Sequence, residues 1–374
     1  MSEVLTSILQ GNEILFAYGA LISMAAALVF IGTKFTAANP QKEANTVGVE
    51  QARLMPLFFS GTLLSLFIAL KFFPKAFFNA LVNVYFAFVI IISGGQLAEP
   101  LLTKTLPALS MEFCIPVGPL MKLADLVERF LPFLFDKPDE DDDEEDKAKK
   151  PTYDISLAAI VGIALMAPFV VAYYATRHWI ICNLFGVVFC IVGASMMVLS
   201  SFSAGALMLI GLFVYDCFWV FATPVMVGVG RGIDLPVKLV FPKNILDIQP
   251  DQMAMLGLGD IVIPCCFIVI VHKIEAQGGP KLFVANMVAY VIALITTVAA
   301  LHLSSHAQPA LLYIVPALLG TTVVAALVQG QLGAVLTWAE AESLEKSKAE
   351  WGKSKTARVL AWFKNRGTEK VKEE

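Results

Sequence analysis

The sequence predicts an all-α polytopic membrane protein with nine transmembrane helices. Composition points there first: of 374 residues, 57% are hydrophobic and 16% charged, against about 45–50% and about 25% in soluble domains. Apolar runs of span length then recur from one end of the chain to the other, and a bilayer core of about 30 Å needs about 20 such residues. Finally, Lys and Arg are distributed unevenly between the intervening segments.

The runs, in order, are Ile14–Gly32, Leu54–Phe73, Phe77–Leu97, Tyr153–Ala175, Trp179–Leu199, Ala204–Val229, Met253–Val271, Leu282–Leu303 and Pro309–Gln329. The first is long for a signal-peptide core and has no basic residue before it, so it reads as a retained span. With the N-terminus outside, 21 of the 27 Lys and Arg fall on inside segments, which fixes the expected orientation as N-outside and C-inside. The 230–252 loop, with Arg231, Lys238 and Lys243, runs against that rule. The chain thus divides into an N-tail (1–13), spans one to three (14–97), a loop (98–152), spans four to nine (153–330) and a C-tail (331–374).

The net charge of −4 comes from one place. Residues 139–146 carry eight consecutive acids, and without them the remainder would be +4. This run reads as a solvated, disordered loop. Before it, Leu120, Leu123, Val127, Phe130, Leu131 and Leu134 fall at helical spacing with charged residues between them, an amphipathic helix for the inner leaflet or the bundle surface. No basic, aromatic-interleaved surface suggests nucleic acid. The six cysteines form no CxxC pair and mostly lie in apolar runs, as small embedded hydrophobes. His178, His272, His302 and His306 show no metal-ligand spacing, so neither a metal nor a cofactor is expected.

Two carboxylates do not belong in such a chain. Asp216 lies inside the sixth span and Asp260 inside the seventh. Each costs about 2.5–3.5 kcal/mol at a helix centre, and no Lys or Arg lies at matching depth to neutralise them. Consecutive spans are antiparallel, so the two acids could meet, their depths differing by roughly 7 Å. Carboxylates at contact distance hold one proton between them. The ionised member can activate water while the protonated one polarises a carbonyl, which is the acid–base arrangement of aspartic proteases. Around them stand Tyr215, beside the first acid, and Gly257-Leu258-Gly259, before the second. The glycines would let a substrate backbone come close, with plain helix packing as the competing reading.

Tyr215-Asp216, Gly257-Leu258-Gly259-Asp260 and Gln308-Pro309-Ala310-Leu311-Leu312 followed by Pro316-Ala317-Leu318 stand in order along the last spans. Together with His178-Trp179, Asn183-Leu184-Phe185-Gly186 and Lys238-Leu239-Val240-Phe241-Pro242, this set resembles signal peptide peptidases, the endoplasmic-reticulum branch of the presenilin-type intramembrane aspartic proteases. The resemblance covers about 175–330 well and the first three spans weakly. It implies a presenilin-like fold, Asp216 and Asp260 as the catalytic pair, and Pro316-Ala317-Leu318 shaping the site with Gln308. It implies substrates that are remnant signal peptides and type II or tail-anchored segments, and a lumenal N-terminus in the endoplasmic-reticulum membrane. It also implies action without an obligatory accessory subunit, with homo-oligomerisation left open. Lys370 and Lys372 resemble a dilysine retrieval signal. No Asn-x-Ser/Thr sequon occurs, and the acidic run has no counterpart in the resemblance.

Unwinding a substrate helix frees backbone groups that need new partners. The segment Val237–Phe241, between Pro236 and Pro242, is short, β-branched and aromatic. It is expected to form an edge strand, with Leu239 and Val240 receiving the substrate as a second strand. Two rivals remain at this point: a proton- or cation-coupled transporter built on the same buried acids, and a non-proteolytic membrane adaptor.

Overall fold

A computed structural model describes residues 2–39, 45–106, 109, 111–116, 152–223, 225, 236–244, 252–304 and 308–339. The amphipathic segment 120–135, the acidic run 139–146, the 230–235 part of the loop that runs against the charge rule, and the lysine-rich tail lie outside them. The chain forms two compact units, one of residues 1–86 with 177–374 and one of residues 87–176.

Among the described residues, nine long helices follow the nine apolar runs: α1 (Ser2–Ala38), α2 (Val49–Phe72), α3 (Lys75–Thr105), α4 (Leu157–Thr176), α5 (Trp179–Met196), α6 (Phe202–Phe221), α7 (Gly259–Ala276), α8 (Phe283–Ser304) and α9 (Leu311–Val328). Among the described residues, eight of these are long and apolar enough to cross a membrane. The remaining one, α7, is 18 residues long but carries Asp260, Lys273 and Glu275. A short α10 (Leu332–Leu336) closes the described chain.

The seventh run does not form one helix, as its apolarity suggested. Its first part is a strand, Met253–Gly257, and α7 starts only at Gly259. Glycine is the weakest helix former after proline, and Gly257 and Gly259 stand on either side of the break. The sixth helix is also shorter than its run, ending at Phe221. As a result both acids lie near helix ends: Asp216 in the last turns of α6, Asp260 in the first turn of α7.

In the larger unit α7 is the central helix. Ile261, Cys265, Cys266, Phe267, Ile268, Val269, Ile270 and Val271 along it are all buried, as expected of a helix apolar on every face. It packs against α1, α5, α6, α8 and α9. By contrast α2 packs on α6 and buries only Ala52. His178 accepts from Ile180 N–H at 3.3 Å to start α5, and Ser201 accepts from Ala204 N–H at 3.1 Å to start α6, both supplying a first-turn acceptor. Gly278 (φ 86) ends α7 and Gly330 (φ 68) follows α9, left-handed positions that favour glycine.

Two short sheets complete this unit. β1 (Asn45–Val47) runs parallel to β4 (Met197–Leu199), and β5 (Lys238–Pro242) pairs antiparallel with β6 (Met253–Gly257). The smaller unit holds the end of α3, α4, and an antiparallel pair of β2 (Glu112–Pro116) and β3 (Thr152–Ser156). There α3 and α4 touch through glycine: a Cβ on Gly162 would stand 2.4 Å from Ala98 Cβ and 2.9 Å from the Gly94 carbonyl. Cys182, Cys190, Cys265 and Cys266 are buried among apolar side chains.

Candidate active site

Asp216 is buried, with 6% of its surface exposed. Its neighbour is the start of α9. The turn at Gln308, Pro309 and Ala310 leads into the helix, and the first-turn N–H groups of a helix have no partner within it. One of them, Leu311 N–H, donates to Asp216 Oδ2 at 3.3 Å. The carboxylate therefore lies at the positive end of the α9 dipole, where negative charge is stabilised.

Asp260 sits at the positive end of a different helix, its own α7. Its backbone is held in an unusual way. An α-helical carbonyl accepts from the N–H four residues on, and four residues after Asp260 stands Pro264, which has none. Tyr290 of α8, fully buried, donates its hydroxyl to the Asp260 carbonyl at 3.1 Å instead. The tyrosine supplies the hydrogen bond that the proline removed, and so ties the catalytic-candidate turn to α8.

Both acids line one cavity of about 190 Å³. Its wall includes Tyr18, Met255, Leu256, Gly257, Thr297 and the Gln308–Ala310 turn, with no Lys or Arg among the described residues. Beside the cavity runs β6. Lys243 N–H donates to the Gln252 carbonyl at 3.0 Å, and Leu258 N–H to the Val237 carbonyl at 3.3 Å. Counting by twos from those bonds, Leu239 pairs with Leu256 and Phe241 with Ala254 across the ladder, while Val240, Met255 and Gly257 point their backbone groups outward.

On the β5 side that outward edge is taken. Asn183 of α5 donates Nδ2 to the Val240 carbonyl at 2.7 Å and accepts the Val240 N–H on Oδ1 at 2.8 Å. Cys182 Sγ reaches the Lys238 carbonyl at 3.5 Å. The expected strand is present, but the edge facing the cavity belongs to β6, through Met255 and Gly257, and not to Val240. Leu239 is fully buried against Gly186 and contributes packing.

The other expected site residues divide similarly. Gly257 lines the cavity, and a Cβ there would meet Asp260 Oδ2 at 3.4 Å; at Gly259 nothing lies within 4 Å. Neither glycine is wedged against a neighbouring helix. Leu258 is buried. Gln308 lines the cavity and donates Nε2 to Ser304 Oγ at 3.0 Å. Tyr215 turns away toward aromatic neighbours, with ring centroids 6.3 Å from Phe59 and 6.5 Å from Trp219. Pro316, Ala317 and Leu318 do not line the cavity: Pro316 is exposed and Leu318 is fully buried. The earlier triplet, Pro309-Ala310-Leu311, holds that place. Tyr290, Asn183 and the Leu311 N–H were not anticipated; the proline four residues after Asp260 was the one visible sign of the first.

The family model described as signal peptide peptidase matches residues 39–342. That match, on a multi-pass helical chain with two acids lining one cavity, defines an intramembrane aspartic endopeptidase. More narrowly, the chain belongs to the signal peptide peptidase family. Signal peptide peptidase from Mus musculus is 32% identical over 89% of this chain and 88% of the relative, and that from Homo sapiens 32% over 87% and 84%. Intramembrane protease 2 from Caenorhabditis elegans is 37% identical over 61% of this chain and 56% of the relative. A solved presenilin-family intramembrane aspartate protease aligns with TM-score 0.45 and 15% identity, over 84% of this chain and 98% of that one. The transporter reading finds no support in these matches.

Proposed function

We propose that Asp216 and Asp260 are the catalytic pair, and that the substrates are membrane-spanning signal peptides together with type II or tail-anchored segments. The observation that carries this reading is the single cavity lined by both acids and by the cavity-side strand residues Met255–Gly257. An unwound substrate segment adds to the outer edge of β6, whose Met255 and Gly257 backbone groups are unspent within the ladder. Water held between the carboxyl groups attacks the scissile carbonyl. The ionised aspartate takes the water's proton, and the protonated one donates to the carbonyl oxygen. The Leu311 N–H keeps Asp216 Oδ2 oriented, so the acid enters the reaction already positioned.

The charge bias supports a lumenal N-terminus and a cytosolic C-terminus, and the named relatives and the C-terminal lysines support the endoplasmic-reticulum membrane. The chain acts without an accessory subunit. The single-chain claim and the chemistry are tested together by purifying this one chain and assaying cleavage of a labelled signal peptide. Asp216→Asn and Asp260→Asn should each abolish cleavage while leaving the purified protein folded. Undiminished cleavage by either variant would remove the assignment, and activity that appears only after a partner protein is added would remove the single-chain claim.

A further inference from the structure

The Asn183-Leu184-Phe185-Gly186 motif of α5 takes no part in the chemistry above, yet it packs on β5, the partner of the strand that lines the cavity. Asn183 is buried at 6% exposure on an apolar helix. Its amide makes both hydrogen bonds that a neighbouring strand residue would make to Val240, at 2.7 and 2.8 Å. One turn further along the same face, Gly186 gives Leu239 room: a Cβ there would lie 2.8 Å from Leu239 Cδ2 and 3.3 Å from Leu258 Cδ2. A side-chain amide reproduces the donor and acceptor of a peptide unit, so α5 closes the far edge of the β5–β6 ladder as a third strand would.

We propose that Asn183 is a positioning residue that sets where the substrate is cut. The inference rests on the reading that substrate adds to β6. With the β5 edge occupied by Asn183, the ladder offers a substrate the β6 edge alone. The same pair of bonds pins Val240, opposite Met255 in the ladder, against α5. The place of the β5–β6 ladder beside α5, and hence which substrate bond the β6 edge presents to the pair, follows from that pin. The two bonds add a directional constraint to the packing and ladder contacts that already hold β5.

The test is cleavage of a signal peptide by the purified full chain, with products sized by mass spectrometry. Asn183→Leu keeps the number and branching of the side-chain heavy atoms and removes both bonds. It should spread the cut over neighbouring peptide bonds and lower kcat about 10- to 100-fold, the effect of two lost hydrogen bonds. Binding of a transition-state-mimicking aspartic-protease inhibitor should confirm that the pair is intact. Val192→Ala, a packing loss elsewhere on α5, should leave the cut positions unchanged. If Asn183→Leu does not fold, amide exchange in the wild-type protein decides: Val240 N–H should be protected, and Met255 N–H should become protected only when a substrate peptide is added. Wild-type cut positions and rates in Asn183→Leu, or rapid exchange at Val240, would overturn the proposal. Met255→Pro, which deletes an outward N–H, separates the two levels. If it cleaves normally, the β6 reading itself fails; if it is impaired while Asn183→Leu cuts as wild type, only the role of Asn183 fails.

Discussion

Leu311 donates its backbone N–H to Asp216 Oδ2 at 3.3 Å, joining the start of the ninth helix to an acid on the sixth. The bond is available because Leu311 opens α9, where N–H groups have no intrahelical carbonyl. It gives Asp216 a fixed orientation and a compensating dipole in a place where no cation lines the wall among the described residues.

Proline is tolerated at the first helical position, so Leu311→Pro deletes this donor while sparing the helix. A hydrogen bond to a charged group contributes about 1.5–3 kcal/mol, so kcat should fall by about 10- to 100-fold. Leu311→Ala keeps the N–H and loses only the buried side chain, and should retain most of kcat. Equal losses in the two variants would mean that packing, not the hydrogen bond, is what matters.

One proton shared by two acids requires a bell-shaped pH dependence. Below the working range both carboxyls are protonated and no base is left; above it both are ionised and no acid is left. Rates of signal-peptide cleavage measured from about pH 4 to about pH 9 should rise and then fall. A profile without both limbs is incompatible with the pair acting together.

The two glycines before Asp260 should behave differently. Gly257→Ala puts a methyl into the cavity, 3.4 Å from Asp260 Oδ2, and should raise KM or lower kcat severalfold with little change in melting temperature. Gly259→Ala meets nothing within 4 Å and opens a helix. It should retain activity, with stability unchanged or higher by up to about 1 kcal/mol. Cleavage kinetics and thermal melts of the two variants side by side check this, and matching losses would refute the distinction.

The bond from Tyr290 to the Asp260 carbonyl exists because Pro264 cannot make its own. Tyr290→Phe should therefore lower stability by about 1 kcal/mol and slow cleavage. In a Pro264→Ala background, where the helical N–H is restored, the same substitution should cost less. A double-mutant cycle on melting temperature and kcat measures the difference, and strict additivity would disprove the compensation.

How far the sequence alone reaches can be judged from particular residues. The apolar runs locate the helices, apart from the sixth and seventh, and apart from α1 and α3, which extend well past their runs at Ser2 and Thr105, because a span is written in about 20 consecutive residues and needs no knowledge of its neighbours. Asp216 and Asp260 stand out for the same local reason: a charge in an apolar run is conspicuous wherever the run ends up. The strand at Lys238–Pro242 was readable from its β-branched and aromatic residues between prolines. Its partner Met253–Gly257 was not, since MAMLG is as apolar as the helix that follows it.

Proline-Ala-Leu occurs twice in α9 and its approach, at 309–311 and at 316–318. Nothing in the letters distinguishes them. In the folded chain the first copy lies at the start of the helix, where an N–H is unspent and reaches Asp216, while the second lies inside it, where each N–H is spent on the carbonyl four residues back. Composition, spans, the acids and the family were thus present in the sequence, because each depends on a residue and its near neighbours. Which backbone groups remain unpaired, and which distant side chain (Asn183 on β5, Tyr290 behind Pro264) answers them, was decided only in three dimensions, because a hydrogen bond between elements depends on their separation in space and not along the chain.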